Sequence, residues 1–531
     1  MDKKYIIIGI IAIIAVIAIA AFAMGSGSSE RAPDELVMAV SVHGGEPEAG
    51  FDPLAEWATG TEPLIQSTIF KKDSNGTLVN DLATNYSVSS DLKTYDITLR
   101  DDVKFTDDTK LTAKDVAFTY NKAKENGIVD LDNVNEIKVV DDTHVSFILN
   151  KTDSTFIHKL TQLGIVPADS YNNETYGEKP VGSGPYKLTQ WDKGQQAIFE
   201  LNENYHGEKP YYKKITNLFM EPDAAFAAAK NGEVDVVEVP LSYSNETIEG
   251  MHKEIYPSVD VRYIGLPYTN ETKNDEGNIV GNNITADPAI REAISTGISR
   301  KAMVEGSFNG LGNVSYTGIS GLLPFASDAT IEDGKVDEAK QILEQAGWKD
   351  TDGDGIREKD GVKASFELDY ASSDSTRQAV ALQFSEQVKP LGIEVTPKGK
   401  TWDEMDSTKF NIPIVWGGGS SDPYQLYKFY DSEVAATGYS NPAAYNNSEV
   451  DSLIDSAMSN PSVDASYSTW QEVQSTAMND NPYIWVGTLD YLFFVNDNVD
   501  MSNSTHTIYP HGGDVWGNIY DWKSVNATKA S

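Results

Sequence analysis

A chain of 531 residues exceeds what one hydrophobic core sustains, so two or more lobes are expected. Its formal net charge of -38 repels nucleic acid and anionic membrane surfaces and argues against both as partners. It contains no cysteine, which removes disulfides, thiolate metal sites, cysteine nucleophiles and a lipid-modified N-terminal cysteine.

Lys3 and Lys4 precede an uncharged run over residues 5–24, long enough for one helix to cross a hydrocarbon core. The polar stretch GSGSSERAPDE follows as a flexible linker. The two lysines favour a cytoplasmic N-terminus, while Ala21-Phe22-Ala23 also fits a signal-peptidase site. Residues 1–25 are therefore read as a membrane anchor or a signal sequence, residues 26–34 as a linker, and the remainder as exported. Eleven Asn-x-Ser/Thr sequons, among them Asn75, Asn173, Asn245, Asn283 and Asn526, agree with an outside location and with glycosylation there.

From residue 35, ELVMAVSVHGGEPEAGFDPL reads as a strand running into a Gly/Pro-rich loop. TYDITL over residues 94–99 alternates as a strand with one buried face. Residues 112–122 form a helix with Thr112 as N-cap and Asp115 completing a capping box. Over residues 181–235, VGSGPYKL is a turn feeding a strand. Its glycines supply conformational freedom and Pro185 fixes φ. LNENYHGEKPYY and AAAKNGEVDVV follow it. A polar, Asn-rich stretch over residues 270–285 suggests a lobe boundary beside it. Asp287 then caps a helix with Pro288 in its first turn, whose Ile290, Ala293, Ile294 and Ile298 should face inward.

Residues 336–348 form an amphipathic helix that stops at Gly347. In DTDGDGIREKDG, Asp350, Asp352 and Asp354 alternate ahead of Gly355 as in the first half of a calcium loop. Gly361 stands where the bidentate glutamate belongs, so Glu358 or Asp360 would have to compensate, and the alternative is an unmetallated acidic turn. No other cofactor is indicated. ASFELDY, STRQAVALQFSEQV and GIEVTPKG make a strand–helix–strand unit, so the second lobe should be α/β with parallel strands. NIPIVWGGGSSDPYQLYKFY ends in an Asp422-Pro423 turn or helix start.

The order and spacing of these pieces resemble the peptide/nickel/opine class of extracellular solute-binding proteins that feed ABC importers (family 5). VGSGPY, NENYHGEKP and NGEVD carry the likeness, with LRDDVKFTDDTKLTAKDV and AIREAISTGISR. Two departures are Asp108, where the class has glycine, and Ser299, where it has an acid. The resemblance implies an α/β, two-lobed periplasmic-binding-protein-like fold of the large cluster C type, with a hinge and an interlobe ligand cleft. Lobe I would span residues 35–268, with an additional subdomain at about 80–190. Lobe II would span 269–486, and 487–531 would return to lobe I. Many relatives are tethered by a lipidated cysteine, so here the N-terminal segment would have to serve instead.

By the same resemblance His43, Gly44, Gly45 and Asp52 line the cleft, and Arg100 falls near it, the alternative for Arg100 being a structural ion pair. Trp416 and Asp422 stand at the spacing that sets a carboxylate against a peptide's α-ammonium group, the alternative being an Asp-Pro helix cap. Tyr424, Tyr427 and Tyr430 are ligand wall or core. The expected function is that of a monomeric, non-enzymatic binding component that captures peptides and delivers them to an ABC permease and its ATPase subunits. A nickel chelate is the rival solute, although no two of the seven histidines have metal-ligand spacing on one helix. A secreted hydrolase or a cell-surface adhesive protein is a distant alternative, since no hydrolase motif and no repeats are present.

Overall fold

The computed structural model describes residues 31–40, 46–58, 62–73, 77–274, 277–505, 508–512 and 515–528. The segment read as anchor or signal, and the proposed cleft positions His43, Gly44 and Gly45, lie outside the described residues. No helix among the described residues is long and apolar enough to cross a membrane.

Two sheets organise the molecule. The first runs in the order Met251–Tyr256, Tyr491–Asn496, Val236–Val239, Glu35–Ala39, Lys214–Leu218, Gln196–Leu201, Tyr186–Asp192. Glu35–Ala39 lies parallel to both of its neighbours. The helix Pro222–Lys230 makes the crossover between those neighbours, and its first-turn proline costs no helical hydrogen bond. The second sheet runs Gly312–Val314, Tyr483–Leu489, Val261–Gly265, Ile414–Gly418, Ser365–Ala371, Glu394–Lys400. As the strand–helix–strand pattern requires, Ser365–Ala371 and Glu394–Lys400 are parallel, joined through the helix Ser375–Val388. Asp287 caps the helix Pro288–Gly297, and Ile290, Ala293, Ile294 and Ile298 are all buried.

The chain leaves the first sheet after Tyr256 and enters the second at Val261, earlier than the boundary expected at 268. The composition change at Asn270 marks a surface hairpin, Thr272–Lys273 with Ile279–Val280, and not the crossing. What assigns Val261–Gly265 to the second lobe is burial of every residue between two antiparallel partners. The return occurs at Asp490, between the last residue of one sheet and the first of the other.

A subdomain carries a third, antiparallel sheet in the order Ala83–Val88, Thr94–Leu99, His144–Leu149, Val134–Asp141, covered by the helix Ala113–Asn126. Asp115 accepts from Thr112 N at 2.8 Å and from Ala168 N at 2.8 Å, so one carboxylate closes the capping box and pins the helix start to a neighbouring loop. Asp108 takes φ +69°, the left-handed region where glycine is usual. A short acidic side chain tolerates it, and here Asn204 Nδ2 donates to its carboxylate at 3.0 Å.

The glycines of VGSGP act differently from expectation. Neither Gly182 nor Gly184 has a positive φ. A Cβ at Gly182 would lie 2.0 Å from the Ile65 carbonyl oxygen, and one at Gly184 2.6 Å from that of Leu64. They permit close backbone approach, sealed by Gly184 N to Ile65 O at 2.8 Å and Tyr186 N to Leu64 O at 3.0 Å.

Candidate ligand cleft

The two crossings run side by side. Ser258 Oγ donates to Leu489 O, and Leu489 N donates to Asp260 O at 3.0 Å. Asp260, 0% exposed, sits between them. It pairs with the Arg262 guanidinium, with His511 Nδ1 at 2.7 Å and with Tyr491 OH at 2.6 Å. Burial alone would raise its pKa, but Arg262, His511 and Tyr491 outweigh this and hold the carboxyl well below its usual range. His511 therefore belongs to the hinge as well as to the terminal segment.

On the far side of the cleft the lobes touch directly. Lys72 Nζ donates to Ser421 Oγ at 2.8 Å, Tyr424 OH to Asp130 Oδ2 at 2.5 Å, and Ser154 N to Met458 O at 2.9 Å. Lys151 pairs with Glu433 at 2.7 Å. The lobes are closed on each other.

Asp422 is 4% exposed at the start of the helix Tyr424–Tyr430. Its Oδ1 accepts from Tyr424 N at 3.0 Å, as a cap, while Oδ2 receives no hydrogen bond from any described residue. Burial raises its pKa, partly offset by the ammonium of Lys72. Tyr424 bridges the lobes through Asp130, and Lys159 Nζ stands 3.8 Å from its ring centroid. Tyr427 and Tyr430 are buried in the second-lobe core.

Trp416 is also largely core, backing two more exposed rings. It stacks on Trp402 at 6.2 Å between centroids and meets Tyr439 edge-on; these two are 39% and 64% exposed. Next to it, Gly417 leaves room for two guanidiniums. A Cβ there would come within 2.6 Å of both Arg262 Nη1 and Arg377 Nη2. Gly419 serves the hinge, for its Cβ would lie 1.9 Å from Val259 O. Arg377 is 6% exposed, stacks on Trp402 at 4.9 Å, and makes no side-chain hydrogen bond to a described residue. Its nearest carboxylate is Asp374, at 3.5 Å. Burial and the like charge of Arg262 both push its pKa down.

Comparison with known proteins matches residues 77–441 to the model for bacterial extracellular solute-binding proteins, family 5 Middle. The chain belongs to this family. It is 32% identical to Protein XP55 of Streptomyces lividans over 80% of this chain and 79% of that one. It is 26% identical to the oligopeptide-binding protein AppA of Bacillus subtilis over 90% and 92%. The solved structure of that AppA in complex with a nonapeptide superposes with a TM-score of 0.74 at 25% identity, covering 92% of this chain and 99% of AppA. NikZ of Campylobacter jejuni, solved with Ni(L-His), shares the fold with a TM-score of 0.76 at 23% identity, covering 93% and 100%.

Two candidate sites of this family-5 solute-binding protein lie apart from the cleft contacts. Arg100 is accounted for by a bidentate pair with Asp102, at 2.6 and 2.9 Å, in a groove of the first lobe that Asp81, Thr84 and Thr143 also line. The structural ion pair is thus the reading its geometry supports. The carboxylates of Asp350, Asp352, Asp354 and Glu358 gather within 4.8 Å of one another. Glu358, and not Asp360 in the following turn, joins the set, and its carboxylate also accepts from Thr351 N at 2.9 Å. Lys363 pairs with Asp352 at 3.1 Å and with Asp354, so one of the cluster's four negative charges is offset by the protein's own cation.

His158 faces the same end of the cleft as Lys72. Its Nδ1 is buried without a partner. Burial first, then Lys72, push its pKa down to about 3. The unfolded chain takes up this proton near pH 6.5, so between about pH 6.5 and 3 the unfolded state binds more protons and stability falls as pH falls. His158→Gln should remove about 2 kcal/mol of the stability lost between pH 7 and pH 5. Denaturant titrations at the two pH values check this, and equal losses in both proteins would refute it.

Arg262, Arg377, Lys72, Trp402 and Tyr439 escaped the sequence reading. The STRQ and KTWDEM stretches offered one usable signal, a cation and an aromatic beside strand ends of an α/β unit, where ligands collect.

Proposed function

We propose that this protein is the extracytoplasmic capture component of a peptide importer, closing its lobes around a peptide and presenting the closed form to an ABC permease. The observation that carries this reading is the Arg262–Arg377 pair beside Gly417, with guanidinium donors on Arg377 that no described residue uses. Two neighbouring buried cations with unspent donors suit a carboxylate, which accepts charge-assisted bonds from both. The rings of Trp402, Trp416 and Tyr439 supply apolar wall for side chains. AppA, whose structure holds a nonapeptide, supports the same class of solute.

Ligand contacts made with both lobes favour the closed state, so capture is a population shift with no chemical step. The apolar run over residues 5–24 would hold the protein at the membrane as an uncleaved helix, or direct its export as a cleaved signal.

Thermal unfolding of the full chain, stripped of bound solute, tests the assignment against tetra-alanine, free nickel, and nickel with histidine. A peptide at a hundredfold excess over its Kd adds about 2.7 kcal/mol and should raise Tm by several degrees. A shift only with nickel plus histidine, the kind of complex that NikZ holds, would move the function to metal uptake.

A further inference from the structure

The Asp422 end of the cleft carries its own positive charge. Lys72 lies in the first-lobe strand Phe70–Lys72, whereas Ser421 and Asp422 open a helix of the second lobe. Its ammonium crosses the gap to Ser421 Oγ at 2.8 Å, one residue before Asp422. No other side-chain acceptor among the described residues binds it. Asp422 spends one carboxylate oxygen on Tyr424 N, its other oxygen receives no hydrogen bond from a described residue, and Lys72 is the first of the cations that act on it. Lys159 and Lys428 act on Asp422 as well, and both also face Asp130. Lys159 lies 3.7 Å from Asp153. Glu62 also faces Lys72 and lies 4.0 Å from Lys71. Asp422, Asp130, Asp153 and Glu62 thus each have a lysine among Lys72, Lys159, Lys428 and Lys71 acting on them, and none is left as an uncompensated charge to draw in another ammonium.

We propose that Lys72 is a resident cation that determines specificity at this end of the cleft, standing in for a ligand's α-ammonium beside Asp422, so that peptides are selected by their carboxylate and not by a free N-terminus. The inference rests on the peptide reading above. N-blocked peptides then bind as well as free ones, because an ammonium gains little beside a carboxylate whose charge Lys72 already offsets, and still loses its hydration on burial. Reaching across the lobes, Lys72 also favours the closed form, since the contact to Ser421 exists only there.

Calorimetry with tetra-alanine and N-acetyl-tetra-alanine tests this on the full chain. Wild type should bind both within about threefold. Lys72→Met uncovers Asp422 and should produce a preference of at least tenfold for the free amine, which the double variant with Asp422→Asn abolishes. A tenfold preference for the free amine in wild type, unchanged in Lys72→Met, overturns the proposal. A second readout needs no ligand. Thermal unfolding of the two single variants and the double variant should show Tm losses that fall short of additive by about 1–3 °C. Additive losses overturn the assignment of Lys72 to Asp422. Should neither peptide bind, the capture reading fails, and this thermal cycle still decides whether Lys72 is the cation of Asp422.

Discussion

Replacing Arg377 by methionine is expected to weaken peptide capture about 10- to 100-fold while leaving the Tm of the ligand-free protein unchanged or higher. The two effects have one cause. In the free protein the guanidinium is buried, is repelled by Arg262, and makes no side-chain hydrogen bond to a described residue, so its charge is a cost. When a carboxylate enters, the same donors form charge-assisted bonds, each worth about 1.5–3 kcal/mol. Methionine keeps the apolar stem against Trp402 and removes only the charge. Calorimetry with a peptide and its C-terminal amide separates the cases. Amidation should weaken binding to wild type and leave binding to Arg377→Met little changed, and an unaltered dissociation constant in the variant would sink the assignment.

Asp260→Asn should have the largest effect on stability. The carboxylate is buried where the lobes join and pairs with Arg262, His511 and Tyr491. Removing one member of such a set leaves the buried Arg262 guanidinium with only the more distant Asp374, at 3.7 Å, as counter-charge, a loss of about 3–5 kcal/mol. A Tm lower by about 3–5 °C is expected. Because the folded-state pKa is depressed, this stabilisation is full above about pH 4 and is lost as pH falls toward the folded value. The acid limb of the stability curve should therefore be shallower in Asp260→Asn than in wild type. A variant that melts within 2 °C of wild type at neutral pH would show that the hinge draws little from this cluster.

The hinge also shows where reading along the chain stops. Composition changes at Asn270 and suggested a boundary there, yet the lobes divide at residues 257–260 because Val261–Gly265 is fully buried in the second sheet. Sheet membership depends on strands drawn from residues 414–418 and 483–489, which no local pattern announces. Arg100 illustrates the same limit. Its family position suggested the cleft, but Asp102, two residues on, accepts from both its Nε and its Nη2.

The sequence by itself determined what is settled within a few residues or one turn. The capping box of Thr112 and Asp115, the Asp287-Pro288 helix start, the inward Ile290, Ala293, Ile294 and Ile298, and the parallel unit from Ser365 to Lys400 all stand where spacing placed them. Each rests on hydrogen bonds or side-chain periodicity internal to its segment. The two-lobed binding protein came from the resemblance that VGSGPY, NENYHGEKP and NGEVD carry by their order and spacing. Only the tertiary structure decided which charges share the cleft. Lys72 meets Ser421 across 349 positions of chain, and Arg262 and Arg377 converge on Gly417 from different strands and helices. In water those groups are indifferent to one another. Their coupling arises once burial has lowered the dielectric around them, and that depends on the whole fold.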